Sequence, residues 1–210
     1  ITMNTLLRHL FTAATLSATL LIPVTASAQD RAPREGLTYV GILATGLNHR
    51  SVGQNTLETA WSTTGSMVLG THISEYFHVE IRAGAGTTTA EIDNELELDI
   101  EYFASWYIGG HYPITEYANA YGQFGFSHVQ GVATLTPLGK AREADPDDDS
   151  PYASIADEYP DSSFSVSWLL GLDFEVIENG FIVLEGGRLF EDTETGANTF
   201  QFSTGFKYEF

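Results

Sequence analysis

Residues 199–210 alternate between two kinds of side chain. A β-strand points successive side chains to opposite faces, so this segment has one aromatic face and one face of polar or very small residues. Such a strand is typical of a membrane barrel, with lipid outside and water or ion pairs inside. The aromatic face carries Phe200, Phe202, Phe206, Tyr208 and Phe210, and the opposite face carries Gln201, Ser203, Gly205, Lys207 and Glu209.

The composition limits the classes of protein to which this chain can belong. The 210 residues include no cysteine, which excludes disulfides and thiolate metal sites. After the N-terminal segment no apolar run is long enough for a membrane helix, but strands that alternate hide their hydrophobicity from averages. The formal net charge of -19 argues against nucleic acid and anionic lipid as partners, because both would be repelled.

The N-terminal segment predicts export. Arg8 and His9 form a short positive region, an apolar stretch follows from Leu10 to Val24, and Ala26-Ser27-Ala28 fits a cleavage site with small residues. We therefore predict a signal peptide over residues 1–28 and a barrel domain over residues 29–210.

Eight segments of the remaining chain predict strands. The connections between them alternate between short and longer, as an up-and-down antiparallel transmembrane β-barrel of eight strands requires. The short turns, near Tyr76, Pro113 and Asn179, are predicted to be periplasmic, and the longer loops extracellular. The predicted strands are Leu37–Leu47, Gly65–Ser74, His78–Thr88, Leu96–Tyr112, Ala118–Thr136, Ser163–Ile177, Phe181–Phe190 and Thr199–Phe210.

Strand parity predicts which side chains fill the interior. A barrel of eight strands is just wide enough to be filled by side chains, and charges buried there must be paired. Arg188 has the wrong parity to join Glu185 inside unless a bulge lies near Gly186-Gly187. If the interior opens, its excess of carboxylates favours cations. The predicted polar network of the lumen is Glu80, Arg82, Glu101, Asp173, Glu185 and Lys207, with Glu97 and Asp99 on the same face as Glu101.

These residues together resemble a known family. The leader, the segments His78–Gly84 and Leu170–Phe174, and the closing Phe206-Lys207-Tyr208-Glu209-Phe210 are similar to the small eight-stranded outer-membrane β-barrel proteins. That group includes the barrel domain of OmpA and the OmpX-like and porin-like surface proteins. The resemblance implies a monomer in Gram-negative outer-membrane lipid. It also implies that Phe206, Tyr208 and Phe210 are the signal that the barrel-assembly machinery recognises.

No pattern of residues predicts catalysis or a cofactor. Ser127 and His128 are adjacent, so they point to opposite faces of a strand and cannot act as nucleophile and base. His72, His78 and His111 are each expected to be alone near the periplasmic end, and no metal site is predicted.

The stretch from Glu143 to Asp161 holds eight acidic residues, and whether Asp145–Asp149 binds Ca²⁺ stays open, since the stretch lacks the glycine and terminal glutamate of an EF-hand loop.

The sequence therefore predicts a non-enzymatic outer-membrane barrel with a structural or surface-interacting role and an unidentified extracellular partner. The first alternative is porin-like passage of small solutes or cations through the lumen. The second is a secreted, soluble, lipocalin-like barrel that binds a ligand inside. The soluble barrel would require the aromatic faces to point inward.

Overall fold

The structure is a computed structural model, and it describes residues 34–52, 58–145, 150–156, 163–191 and 197–210. The predicted signal peptide and residues 146–149 and 157–161 of the acidic stretch lie outside this part. The described residues form nine β-strands and one helix. Their bounds are β1 (Thr38–Arg50), β2 (Thr59–His72), β3 (Phe77–Thr88), β4 (Ala90–Ile92), β5 (Leu96–Pro113), β6 (Ala118–Leu135), α1 (Pro137–Glu143), β7 (Ser163–Ile177), β8 (Gly180–Glu191) and β9 (Asn198–Glu209).

The strands close into an antiparallel up-and-down barrel with eight positions around its axis. The order is β3-β2-β1-β9-β8-β7-β6-β5, and β3 pairs with β5 to complete the circle. The short β4 pairs with β5 directly beyond β3, so β3 and β4 occupy one position. In the described residues, no helix has the length and apolar character needed to cross a membrane.

The two ends of the barrel differ in their connections. The turns after β2, β5 and β7 are short, and we call this end the short-turn end; the start of β1 and the end of β9 also lie here. The other end carries the longer connections, including α1, and we call it the long-loop end. The predicted strands agree with the observed ones to within a few residues, except that β2 begins six residues earlier than predicted and that β4 was not predicted.

The outer wall is apolar and the interior is polar and charged over much of its length. Phe164 and Phe202 are 67% and 48% exposed on the outside, whereas Asp173 and Lys207 are only 2% and 7% exposed inside. A soluble barrel would have the opposite arrangement, because its apolar side chains must avoid water. The lipocalin-like alternative is therefore wrong.

Two tyrosines fit inside the barrel because glycines lie opposite them. Tyr39 on β1 pairs with Gly70 on β2, and Tyr121 on β6 pairs with Gly171 on β7. A Cβ atom at either glycine would overlap the ring of its tyrosine. The glycines thus let both aromatic rings lie across neighbouring strands in a narrow lumen.

A β-bulge in β5 corrects one prediction. The register of β5 against β6 shifts between Ile100 and Tyr102, and the inward parity changes there. Before the bulge Leu96, Leu98 and Ile100 point inward; after it the inward residues include Phe103, Ser105 and Tyr107. Glu101 therefore lies exposed on the outer side with Glu97 and Asp99. The prediction that these three carboxylates face the lumen is wrong, because a bulge adds one residue and reverses the parity.

A second bulge lies in β8, but not at Gly186-Gly187, where it would have turned Arg188 inward. The register shifts between Arg188 and Phe190, beyond the glycine pair, so that Leu189 and Phe190 are both buried. Arg188 remains half-exposed and forms an ion pair with Glu191 three residues later. It does not join the charges of the lumen.

An apolar cluster fills the lumen at the long-loop end. Leu96, Leu98 and Ile100 pack there with residues from the other strands and from the loop after α1. The loop is held by Tyr152, whose hydroxyl donates to Asp93 at 2.5 Å; burial and this carboxylate raise the pKa of Tyr152 above its usual value. The cluster consists of Leu47, Val52, Ala60, Ala90, Ile92, Leu96, Leu98, Ile100, Phe103, Val129, Ala133, Leu135, Tyr152, Ile155, Leu189, Phe190 and Ala197.

Candidate functional site in the barrel lumen

Arg82 is the centre of the ionic network in the lumen. Its Nε donates to Glu80 at 2.5 Å, its Nη1 donates to Glu185, and its Nη2 donates to Glu185 at 3.0 Å and to Gln123 at 3.1 Å. Arg82 is on β3 and Glu185 is on β8, which lies four positions away around the eight-position barrel. The ion pair therefore joins opposite walls of the barrel.

Two tyrosines complete the hydrogen bonds of the two carboxylates. The Tyr39 hydroxyl donates to Glu80 at 2.8 Å, and the Tyr121 hydroxyl donates to Glu185 at 2.7 Å. A buried carboxylate is tolerated only when it is paired and hydrogen-bonded, and here each has both an arginine and a tyrosine. The network thus links β1, β3, β6 and β8 across the interior.

A second charged group lies nearer the short-turn end. Lys207 Nζ is 3.4 Å from an Asp173 oxygen, and it also lies 4.8 Å from the centre of the Tyr121 ring. Asn119 donates to the other Asp173 oxygen. Arg34, which precedes β1, pairs with Glu209 through two of its nitrogens. The positive and negative side chains of this group balance one another.

Three histidines meet beside this second group. His72, His78 and His111 are buried, and one ring nitrogen from each lies within 4.8 Å of the other two. They lie on β2, β3 and β5, which are consecutive positions of the barrel. The prediction that each histidine would be alone is wrong. It treated their separation in sequence as separation in space, but the turn after β2 places His72 directly opposite His78.

Hydroxyl groups fill the lumen between the ionic network and the apolar cluster. The hydroxyls of Ser105 and Ser127 are 2.7 Å apart, and the Tyr107 hydroxyl lies 2.7 Å from Ser167 Oγ. Ser127 is fully buried, while His128 lies on the other face of β6 beside Tyr102. The serine and the histidine point in opposite directions, as their adjacency predicts.

Five of the six predicted network residues lie inside the barrel, in two groups. Glu80, Arg82 and Glu185 contact one another, and Asp173 contacts Lys207. Glu101 is the exception for the reason given above. Strand parity does not place Arg34, which precedes the first strand, and it does not bring the three histidines together. Antiparallel pairing across the short turn after β2 is the signal that brings His72 opposite His78.

The aromatic residues at the end of β9 lie on the outer side. Tyr208 and Phe210 are 42% and 60% exposed, and Phe206 is half-buried. The backbone of Phe210 exchanges two hydrogen bonds with Thr38, at 2.8 and 3.0 Å, which closes the barrel at the short-turn end. The role of these three aromatics as an assembly signal stays a prediction.

Comparison with known protein families gives one match. The model of the outer membrane protein beta-barrel domain matches residues 14–210. None of the curated protein sequences matches the chain.

Solved structures of small barrels share this fold at low sequence identity. Ail of Yersinia pestis is 14% identical, with a TM-score of 0.52 over 84% of this chain and 99% of its own. OprG of Pseudomonas aeruginosa is 11% identical, with a TM-score of 0.53 over 84% and 97%. Neisserial surface protein A is 16% identical, with a TM-score of 0.50 over 84% and 100%. These structural similarities show that this chain has the same barrel fold as the three proteins.

Proposed function

Because the chain belongs to the outer membrane protein beta-barrel domain family and lies in the outer membrane of a Gram-negative bacterium, we propose that it is a closed, non-catalytic barrel that acts through its long-loop end at the cell surface. Its roles are structural and surface-interacting. The chain acts as a monomer in this proposal, and its partner at the surface is a molecule outside the membrane rather than a solute in the lumen.

The observation that carries this proposal is the apolar cluster at the long-loop end. Leu96, Leu98, Leu189 and Phe190 are at most 1% exposed, although they lie where a pore would open to the outside. Below them the lumen is crossed by the ion pair between Arg82 and Glu185. A conducting path needs a continuous polar, hydrated lining, and a packed apolar cluster supplies no partner for an ion's hydration shell. Both features support a closed lumen over the porin-like alternative.

Single-channel recording tests the closed lumen. We expect no conductance steps from the purified barrel in planar bilayers at several voltages. The salt concentration on both sides is about 1 M, because this concentration screens surface charge. Insertion is verified in parallel by protease protection of the same protein in liposomes. Reproducible, cation-selective steps from inserted protein would replace this proposal with the porin-like alternative.

The outer face of the long-loop end is acidic. Glu91 on β4 and Glu97, Asp99 and Glu101 on β5 are all exposed there. With the net charge of -19, they disfavour an anionic partner and favour one with a positive surface. Loops and strand ends of a rigid barrel are common sites of recognition.

Cysteine labelling tests which end faces outward. The chain has no cysteine, so single substitutions can be labelled without background. Glu101→Cys at the long-loop end and Glu116→Cys in a short turn change the same residue type at exposed positions. We expect a membrane-impermeant maleimide to label Glu101→Cys on intact cells and Glu116→Cys only after permeabilisation. The reverse pattern would invert the orientation and remove the surface role.

A further inference from the structure

We propose that His72, His78 and His111 form a binding site for one divalent transition-metal ion of the zinc type at the short-turn end of the lumen. The three side chains are 4%, 4% and 6% exposed, and their ligand atoms lie within 4.8 Å of one another. Imidazole nitrogens suit zinc, copper and nickel, whereas calcium and magnesium prefer oxygen ligands. Three histidines also leave one position open for a further ligand.

The distance between two of the rings fits a shared ion. His78 Nδ1 and His111 Nδ1 are 3.4 Å apart, which is long for a hydrogen bond between nitrogens. Two nitrogens bound at about 2.0–2.1 Å to one tetrahedral zinc ion are separated by about 3.4 Å. The two rings therefore already have the spacing of neighbouring ligands. The ligand atom of His72 lies within 4.8 Å of those of the other two histidines, so His72 must move closer to complete the set.

His72 has the hydrogen bond that orients a metal ligand. Its Nε2 lies 3.0 Å from Glu209 Oε1 and donates to it, while its Nδ1 is buried without a hydrogen-bond partner. A metal-bound histidine typically donates its other N–H to a carboxylate, which fixes the tautomer and the ring orientation. The unpaired Nδ1 carries a lone pair and is available to a cation. His111 Nε2 is also buried without a hydrogen-bond partner, and it carries the proton when His111 binds an ion through Nδ1.

The formal charges around the cavity cancel in pairs. The cavity is lined by the three histidines together with Arg34, Tyr39, Tyr121, Asp173 and Lys207. Arg34 is paired with Glu209 and Lys207 with Asp173, so the formal charges of these four side chains cancel. Arg34 Nη1 is unpaired and would suit an anion. The acceptor nitrogen of His72 favours a cation instead.

One neighbour must rearrange when the ion binds. The Gln123 amide nitrogen lies 2.8 Å from His78 Nε2 and donates to it, which leaves the proton of neutral His78 on Nδ1. For Nδ1 to bind a metal, the amide has to turn so that its oxygen accepts from Nε2–H. Arg82 then loses its bond to Gln123 and keeps Glu80 and Glu185.

Calorimetry with Zn²⁺ tests the site. The untagged chain is refolded in detergent micelles and titrated with zinc chloride; we expect one ion per chain at this site. His78→Gln and His111→Gln are each expected to weaken binding at least about tenfold, and Glu209→Gln by about tenfold, the lower limit for loss of a partner that orients a ligand. His49→Gln is the matched control, since His49 is also buried in the lumen but bonds Thr199 and Ser62 away from the cluster.

A second measurement does not depend on the variants folding. In the wild-type barrel, Zn²⁺ should shift the ring ¹⁵N resonances of His72, His78 and His111 but not that of His49. Saturable binding with these shifts in the wild-type barrel supports the site. The site is overturned if the folded wild-type protein binds no Zn²⁺, or if sodium chloride alone produces the same heat or resonance shifts. It is also overturned if His49→Gln weakens Zn²⁺ binding as much as His78→Gln does.

Discussion

Arg82 on β3 and Glu185 on β8 form a two-nitrogen ion pair across the full width of the barrel. The strands that carry them share no backbone hydrogen bonds, so this contact and its neighbours brace walls that the sheet alone does not connect directly. Glu80 shares the same guanidinium, and both carboxylates also accept from tyrosines. The arrangement explains how a narrow interior can hold charges: every member of the group is bonded to another.

Replacing Arg82 with alanine should be strongly destabilising. The change leaves Glu80 and Glu185 buried without their cation, and breaking a buried pair on one side costs about 3–5 kcal/mol. Arg188→Ala is the control, because Arg188 is half-exposed and its pair with Glu191 should contribute about 0–1 kcal/mol. Urea unfolding of both variants in liposomes measures the free energies of unfolding. Equal losses would show that the position of the arginine inside the lumen does not matter.

Truncating Leu98 should show that the long-loop end is a packed core. Leu98 is 0% exposed within the apolar cluster, so Leu98→Ala leaves a cavity and should cost about 2–5 kcal/mol. Leu170→Ala makes the same change on the outer wall, where Leu170 is 65% exposed and lipid can fill the space. We expect the loss at Leu98 to be the larger by at least ~1 kcal/mol, measured by the same unfolding assay. A Leu98 variant as stable as the wild type would contradict a packed cluster.

A charge on the outer wall should be costly only where lipid contacts it. Leu170→Arg places a guanidinium in the middle of β7 on the outer face and should cost about 2–4 kcal/mol if it lies near the bilayer centre. Glu97→Arg, on the exposed outer side before the bulge in β5, should change the free energy of unfolding by less than about 1 kcal/mol. Refolding yield and urea midpoints in liposomes compare the two. A costly Glu97→Arg would place the bulge region within the lipid.

Phe210→Ala should lower assembly in cells without weakening the finished barrel. The side chain is 60% exposed, and the hydrogen bonds to Thr38 come from the backbone, which the substitution keeps. If Phe210 is part of the assembly signal, the amount in the outer membrane should fall several-fold, while refolding from urea in detergent should match the wild type. Phe202→Ala, an exposed aromatic earlier on the same strand, should leave the cellular amount unchanged. A defect in detergent refolding would instead indicate a role in stability.

Strand positions could be predicted from this sequence because strand periodicity is local. In β7 and β9 the alternation between apolar and polar residues continues through most of the strand, so both the bounds and the faces follow from the residues themselves. In β5 the same rule was correct after Tyr102 and wrong before it. Leu96, Leu98 and Ile100 are apolar, and apolar side chains suit both lipid and a protein core. The local sequence therefore does not show which of the two covers them.

The alternating side chains by themselves determined the class of fold, the eight strand positions around the barrel and five of the six charged residues predicted for the lumen, because each strand must give one face to lipid and the other to the interior. Only the tertiary structure decided the position of the bulge that turns Glu101 outward, the apolar cluster over the lumen, and the meeting of His72, His78 and His111. These features depend on the register between strands and on the distance across the barrel. Both arise only when the ends of the sheet meet and the circle closes.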